Sequence, residues 1–320
     1  MTEPVLEVRN LTKVYRQRRG EDVVAVDDIG FIIKKNEVVG LLGPNGAGKT
    51  TTIKCICTLI RPTSGSIRIN GTDAQRNTRI ALRHVAAVLE GNRNIYWRLS
   101  VRENLEFFAG LQGIRSGRVR SYIDELIEMF QLKEKERTDA RNLSRGMQQK
   151  LAVACALVKK TEVLLLDEPT LGLDVETSHE LRFALKEMAR RGERTIILSS
   201  HDMSVVQDIC ERVIIVNNGK IVTDDQVANL LRLFQASAYR FEIEGRLSKQ
   251  QERQLEERFE MLKISEADHH TEIEAQLEDG NRIYEVMDIL KAGDSRIRSI
   301  ARKEPNLEEV FLNIVKGGKN

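Results

Sequence analysis

Residues 43–51 read Gly-Pro-Asn-Gly-Ala-Gly-Lys-Thr-Thr, and they lie between the apolar run 38–42 and the segment 52–57. This order predicts a strand, a glycine-rich loop and a helix. Three glycines let successive backbone N–H groups turn toward one hollow, and the N-terminus of the helix adds its positive partial charge there. Such a hollow suits a phosphate group.

The side chains of this loop favour a nucleotide site over a plain turn between two core elements. Lys49 is placed to reach the outer phosphates of a nucleoside triphosphate, and the hydroxyl of Thr50 is placed to ligate the accompanying Mg²⁺. All fixed positions of the pattern G-x-x-x-x-G-K-[ST] are present. The other residues that we assign to the phosphate cradle are Asn45, Gly46, Gly48 and Thr51.

A second apolar run, residues 163–166, ends in Asp167 and Glu168. Buried parallel strands have this form when they deliver carboxylates to a site at their carboxyl ends. We expect Asp167 to hold Mg²⁺ through water and Glu168 to orient or deprotonate the attacking water. The alternative, two acids at the start of an ordinary loop, is disfavoured by the phosphate-type loop at 43–51.

His201 and Tyr15 can each be interpreted as a functional or as a structural residue. His201 follows the apolar strand predicted at 195–198, where it would sense the γ-phosphate beside the acid pair, although a lone histidine is more often structural. Tyr15 ends the first predicted strand and would either stack on a nucleotide base or be a half-buried strand tyrosine.

Composition limits the class of protein. The net charge of +2 comes from 50 basic and 48 acidic residues, so there is no basic excess and we expect no nucleic-acid partner. Four cysteines show no metal-ligand spacing, and we interpret them as reduced thiols of the core. No signal segment or apolar stretch of about 20 residues is found, which predicts a cytoplasmic chain that another protein holds at a membrane.

Hydrophobic periodicity predicts two domains. Residues 1–236 form an α/β domain, with strands at 5–8 and 23–33, an inserted helical lobe at about 100–150, a helix at 151–158 capped by Ser144, and a strand at 220–222. Residues 237–320 follow the order βαββαβ of a small α+β ferredoxin-like domain, with a last helix at 306–315. Glu272, Glu274 and Glu278 give that sheet one wet face, and we expect the domain to regulate or brace a dimer.

Residues 1–234 resemble the ATP-binding cassette of ABC transporters, a P-loop NTPase fold with an N-terminal antiparallel β-subdomain. Several motifs occur in the order of that family. They are Walker A at 43–51, the LSGGQ signature at 143–147, Walker B at 164–168, the D-loop at 171–174, the switch histidine at His201 and the adenine-stacking aromatic at Tyr15.

The resemblance implies ATP and Mg²⁺ as cofactors and a head-to-tail dimer of two copies. In that dimer, Ser144 and Gly146 of one copy cap the γ-phosphate bound by Walker A of the other. The chain departs from the family where Glu90 replaces the Q-loop glutamine and where Arg145 and Met147 replace signature residues. Glu90 still offers a carboxylate to Mg²⁺, so we assign it to the metal site.

Two functions are compatible with these motifs. One is the motor subunit of an exporter with separate transmembrane permease subunits, located peripherally on the inner face of the membrane. Residues 305–311 resemble the tail of drug, polysaccharide and lipid exporters. The other is a soluble ABC ATPase acting on ribosomes or DNA, which the single cassette and the lack of a heptad repeat disfavour.

A loop at 90–100 carries two large aromatic residues, Tyr96 and Trp97. Exposed aromatic residues in a polar loop often mark a contact, so we expect this loop to receive a short helix of the membrane subunit. The alternative is that Trp97 packs inside the helical lobe.

Overall fold

The computed structural model describes residues 4–317 except 18–19, 92–93, 115, 193, 234–236, 260–261, 268–269, 278–281, 294 and 303–306. The chain divides into two compact units between Val227 and Ala228, and the described residues after 313, which are 314–317, group with the first unit. The boundary predicted at residues 236 and 237 stays a prediction, since residue 236 lies outside the described residues.

The first unit contains an antiparallel sheet and a mostly parallel sheet. Its helices and strands in chain order are β1 (Pro4–Tyr15), β2 (Val23–Lys34), β3 (Val38–Leu42), α1 (Lys49–Ile56), β4 (Ser64–Ile69), β5 (Thr72–Asp73), α2 (Thr78–Ala81), β6 (Val85–Val88), α3 (Val101–Leu111), α4 (Ser116–Met129), α5 (Arg145–Leu157), β7 (Val163–Asp167), α6 (Val175–Arg190), β8 (Thr195–Ser200), α7 (Met203–Ile209), β9 (Arg212–Asn217) and β10 (Lys220–Gln226). Helix α8 (Val227–Leu233) begins at the last residue of this part of the first unit, and its other residues belong to the second unit. The antiparallel sheet has the order β2-β1-β4-β5, as the prediction of an N-terminal antiparallel β-subdomain requires.

The six-stranded sheet has the order β10-β9-β3-β8-β7-β6, and its pairs are parallel except β9 with β10. Every residue of β3, β7 and β8 is buried. Parallel strands covered on both faces read as continuous apolar runs, which is why the sequence pattern identified them. Because these three strands are neighbours, their carboxyl ends meet at one edge and bring together the segments that follow them.

Helices α3, α4 and α5 lie between β6 and β7 in the chain and form the inserted lobe predicted at about 100–150. Ser100 and Glu103 form a capping box at the start of α3, because each side chain satisfies a backbone N–H group of the other residue. Phe130 and Leu105 are buried in the lobe. Helix α5 begins at Arg145 instead of residue 151, since the Ser144 cap precedes a polar first turn that the apolar pattern did not register.

The second unit contains β11 (Ser237–Glu244), α9 (Lys249–Arg258), β12 (Leu262–Ala267), β13 (His270–Leu277), α10 (Ile283–Ala292) and β14 (Ile297–Arg302). Its antiparallel sheet has the order β12-β13-β11-β14, which is the ferredoxin-like arrangement. Phe241, Ile273 and Leu290 belong to its core. Arg240 pairs with Glu274 on the polar face at 3.1 Å, and Glu278 lies outside the described residues.

Helix α11 (Leu307–Gly317) follows, and its predicted first residue, Asn306, lies outside the described residues. Within the described part of the chain, no helix combines the length and the apolar character needed to cross a membrane. All four cysteines are free and buried, as predicted. Burial raises the pKa of Cys55 to about 11 and that of Cys57 to about 12.

Candidate nucleotide-binding site

The loop between β3 and α1 has a backbone that depends on glycine. Gly46 and Gly48 have φ values of +80° and +106°, which place both in the left-handed region. A Cβ on Gly48 would lie 2.4 Å from the carbonyl oxygen of Ala25, whereas one on Gly46 would have nothing within 4 Å. The backbone is therefore closely packed at Gly48 and faces open space at Gly46, as a cradle for a bulky anion requires.

The loop forms one wall of a cleft of about 540 Å³. A cleft of this size is typical of a site for a small molecule. Ten of the residues assigned from the sequence line it, namely Tyr15, Asn45, Gly46, Gly48, Lys49, Thr50, Thr51, Glu90, Glu168 and His201. The structure thus brings together loop, acid, histidine and aromatic residues that are far apart in the chain.

Lys49 lies at the base of the loop with its side chain 6% exposed. Its Nζ donates to the carbonyl oxygens of Gly43 and Pro44 at 2.6 Å and 3.2 Å, and lies 3.7 Å from Oε1 of Glu168. Burial lowers the pKa of Lys49, and the neighbouring carboxylates of Glu168 and Asp167 oppose that shift. The ammonium is surrounded by oxygen atoms of this chain, which the phosphates of a nucleotide would replace.

Asp167 is the last residue of β7, and the two oxygens of its carboxylate differ in their hydrogen bonds. Oδ1 accepts hydrogen bonds from the hydroxyls of Thr50, at 3.1 Å, and Ser199, at 2.6 Å. Oδ2 is buried without a hydrogen-bond partner among the described residues. Hard oxygen ligands, a carboxylate next to a threonine hydroxyl, are those that Mg²⁺ prefers. The donor set therefore fits Mg²⁺, with the carboxylate of Glu90 on the cleft wall.

Glu168 follows Asp167 and is held on both sides. Its Oε2 lies 2.9 Å from Nδ1 of His201, and its backbone N–H donates to the carbonyl and hydroxyl oxygens of Ser199, both at 3.1 Å. Glu168 has a φ of +49°, which is unusual for a residue that is not glycine. A carboxylate fixed beside an imidazole in a cleft is suited to accept a proton from water. Sequence reasoning missed Ser199, which lies two residues before His201 in an apolar strand.

The signature segment lies apart from these groups. Ser144 caps α5 by accepting from the N–H of Met147 at 3.2 Å, and Gly146 is so close to Thr177 that a Cβ would lie 2.3 Å from Cγ2 of that residue. Arg145 packs over Gly172 of the 171–174 segment, where a Cβ would lie 2.7 Å from Nη2. Among the described residues, Ser144 and Gly146 are not part of the cleft lining.

The fold and the loop define this chain as a P-loop nucleoside triphosphatase with an inserted helical lobe. Residues 26–171 match the family model described as ABC transporter. The chain is 34% identical over 206 residues to the ABC transporter ATP-binding protein NatA of Bacillus subtilis (strain 168), a match that covers 64% of this chain and 83% of the relative. It is 33% identical over 232 residues to the methionine import ATP-binding protein MetN of the same organism, covering 71% and 67%.

Among solved structures, the chain is similar to the dimeric post-hydrolysis state of the ATP-binding cassette MJ0796 bound to ADP and Pi. The TM-score is 0.62 and the identity is 27%, with 69% of this chain and 98% of that chain covered. The chain belongs to the ABC transporter family. It is an ATP-binding subunit that hydrolyses ATP, with Mg²⁺ as the usual partner of the nucleotide. The relatives named above are transporter subunits, which gives no support to a soluble ATPase acting on ribosomes or DNA.

Proposed function

We propose that this chain is the ATP-hydrolysing motor subunit of an exporter whose membrane-spanning subunits are separate chains. One observation carries the catalytic part of the proposal: the phosphate loop, Glu168 and His201 share a single cleft, whereas Ser144 and Gly146 lie outside its lining. Asp167 does not line the cleft itself but is hydrogen-bonded to Thr50, which does. A site divided in this way is completed when the signature segment of a second copy covers the cleft. Two copies therefore join head to tail around ATP.

Each residue that we assign to the nucleotide site has a role in this proposal. Tyr15 stacks on the adenine, and the 43–51 loop surrounds the phosphates with Asn45, Gly46, Gly48, Lys49 and Thr51. Thr50, Asp167 and Glu90 hold Mg²⁺, which when bound supplies positive charge to the phosphate oxygens. Glu168 accepts the proton of the attacking water, and His201 orients Glu168 and the γ-phosphate.

The membrane subunit binds at Tyr96 and Trp97. Their side chains are 51% and 47% exposed, which favours a docking role over packing of Trp97 inside the lobe. Tyr96 packs its ring on Phe107, with centroids 4.4 Å apart, and its backbone N–H and carbonyl both bond the side chain of Asn104. These contacts hold Tyr96 in place before a partner arrives, so less conformational entropy is lost on binding. Through this contact, the ATP-hydrolysing chain lies on the inner face of the membrane.

Export is the proposed direction because residues 305–311 resemble the tail of exporter cassettes. Import, the activity in the name of MetN, is the competing outcome. The second unit, together with the rest of residues 237–320, regulates the cassette or braces its dimer. Its sheet has a polar face with ion pairs such as Arg240 with Glu272 and Glu274, which suits an exposed domain.

The test is purification of the tagged chain from detergent-solubilised membranes, followed by reconstitution of what co-purifies. We expect polytopic membrane chains in the complex, and movement of substrate with ATP supplied on the side of this subunit. Movement away from that side supports export, and movement toward it shows an importer. Recovery of ribosomal or DNA-bound complexes without any membrane chain would overturn the transporter assignment.

A further inference from the structure

Ser199 lies in β8 directly beside the end of β7, because the parallel register pairs it with Asp167. It is completely buried. Its hydroxyl donates to Oδ1 of Asp167 at 2.6 Å and accepts from the backbone N–H of Glu168 at 3.1 Å. A serine hydroxyl has one hydrogen to donate, so the donation to Asp167 determines its orientation.

The first consequence concerns Asp167. Its Oδ1 accepts from both Ser199 and Thr50, whereas Oδ2 is buried with no hydrogen-bond partner among the described residues. Rotating the carboxylate would break both bonds to Oδ1 and leave buried polar groups unsatisfied. The two hydroxyls therefore hold the carboxylate in one orientation, in which Oδ2 is the oxygen without a hydrogen-bond partner among the described residues. Oδ2 is thus the oxygen left to contact a cation or its water.

The second consequence concerns Glu168. Its φ of +49° is unfavourable for a side chain with a Cβ and must be held by its surroundings. Its backbone N–H lies 3.1 Å from both the hydroxyl oxygen and the carbonyl oxygen of Ser199. Without the hydroxyl, this turn keeps only the carbonyl contact.

We propose that Ser199 is a positioning residue of the ATPase. Its hydroxyl aligns the Asp167 carboxylate to hold Mg²⁺, and it fixes the backbone of Glu168 so that the Glu168 carboxylate can accept the proton of the attacking water. The inference rests on the proposed metal role of Asp167. Ser199 acts only through these two residues and does not touch the nucleotide. Its neighbour Ser200, also buried, accepts from the N–H of Asp202 and makes no such contact, which makes it the matched control.

The experiment compares Ser199→Ala, Ser199→Thr and Ser200→Ala in the full chain. Affinity for a fluorescent ATP analogue is measured in EDTA and at increasing Mg²⁺ concentration, alongside the Mg²⁺ dependence of ATP hydrolysis. We expect Ser199→Ala to bind the analogue normally in EDTA and to need about tenfold more Mg²⁺ for half-saturation, as loss of a hydrogen bond to a charged group implies. Ser199→Thr keeps the hydroxyl and restores the response, and Ser200→Ala behaves as the wild type.

An unchanged Mg²⁺ requirement in Ser199→Ala overturns the inference, and so does a Ser199→Thr variant as impaired as Ser199→Ala, since packing alone would then explain the loss. If circular dichroism shows that Ser199→Ala does not fold, Ser199→Cys replaces it, because the thiol is nearly the same size and a weak donor. Asp167→Asn tests the metal role of Asp167 separately from the positioning role of Ser199. If that variant keeps the normal Mg²⁺ response, the metal role of Asp167 is wrong, whatever Ser199 does.

Discussion

Nδ1 of His201 lies 2.9 Å from Oε2 of Glu168, so the imidazole at the end of β8 directly contacts the carboxylate at the end of β7. This contact is formed within one chain, because β7 and β8 are neighbours in the parallel sheet. The orientation of this carboxylate therefore does not depend on a second copy of the chain. In the proposed function, turnover by Glu168 still requires the dimer.

Glu168→Gln should stop ATP turnover while ATP binding is retained. The amide keeps the size of the side chain but cannot accept a proton from water, and loss of a general base lowers rates by about 10²–10⁴-fold. ATP should consequently trap the variant as a dimer, which light scattering with and without ATP would detect. Glu256→Gln, an exposed site on α9, is the control and should hydrolyse ATP normally. Normal hydrolysis by Glu168→Gln would remove Glu168 from the mechanism.

Trp97→Ala should lower the amount of membrane subunit that co-purifies with the chain. The exposed indole is the larger part of the proposed contact, and buried aromatic anchors dominate interface energetics. Thermal unfolding of the isolated chain should change little, because Trp97 is 47% exposed and little of its packing is in the core of the lobe. Tyr284→Ala removes an aromatic side chain that is 66% exposed on α10 and serves as the control. Intact assembly combined with reduced stability of the isolated variant would instead mean that Trp97 serves the lobe itself.

Arg102→Met should destabilise the helical lobe by about 1–2 kcal/mol at neutral pH, through loss of the charge-assisted bond to Glu136. Nε of Arg102 donates to Oε1 of Glu136 at 2.5 Å, and its Nη2 bonds Asp124. These bonds from Arg102 hold the pKa of both carboxyls below their ordinary values. A lowered pKa in the folded state means stabilisation above the ordinary pKa that is lost as pH falls through the folded value.

The difference in Tm between wild type and Arg102→Met should therefore be large at pH 7 and shrink as the pH falls below 4.5, the ordinary pKa of a glutamate such as Glu136. Arg137→Met, at an exposed position of the same lobe, should show a small difference at every pH. A difference that stays constant with pH would indicate lost packing of the Arg102 stem instead of lost charge pairing.

Truncation after Leu233 should leave a chain that binds and hydrolyses ATP. Every described residue that lines the nucleotide cleft lies between Tyr15 and His201, so we expect the chemistry not to require residues 237–320. This expectation includes the described residues 314–317, although they group with the first unit. We expect unchanged ATP affinity, with faster turnover or weaker dimerisation if the removed part regulates or braces the dimer. A truncated chain that is folded by circular dichroism yet has lost ATP binding would contradict this modular division.

The elements that could be predicted are those with a local signal. The 43–51 loop is contiguous in the chain, buried parallel strands such as β7 read as apolar runs, and the lobe helices repeat apolar residues at helical spacing. Helix α7 was not predicted because seven residues are too few for a periodic pattern, although Asp202 caps it. Strand β10 runs to Gln226 instead of ending at 222, since its last residues are polar and its exposure alternates at the edge of the sheet.

The sequence motifs identify the residues of the site, but they do not predict the contacts between those residues. Asp167, Glu168 and His201 each stand at the end of an apolar run, which marks them as neighbours at one edge of a sheet. The role of Ser199 depends on which residue of β8 lies opposite Asp167, and no local pattern encodes that register. The hydrogen bonds from Lys49 to the carbonyl oxygens of Gly43 and Pro44 likewise depend on the conformation of the loop backbone, which composition does not reveal.

Strands β6 and β7 pair side by side although the whole of residues 89–162 separates them in the chain. The entropy of closing such a loop grows only with the logarithm of its length, and each doubling adds about 0.6 kcal/mol. The intervening lobe has its own helix caps and its own buried side chains, so part of its stability comes from contacts within the lobe. Lineages of this chain could therefore lengthen or shorten the part of the lobe between residues 101 and 142, which leaves Glu90 before it and Ser144 and Gly146 after it, without disturbing the chemistry at the end of β7.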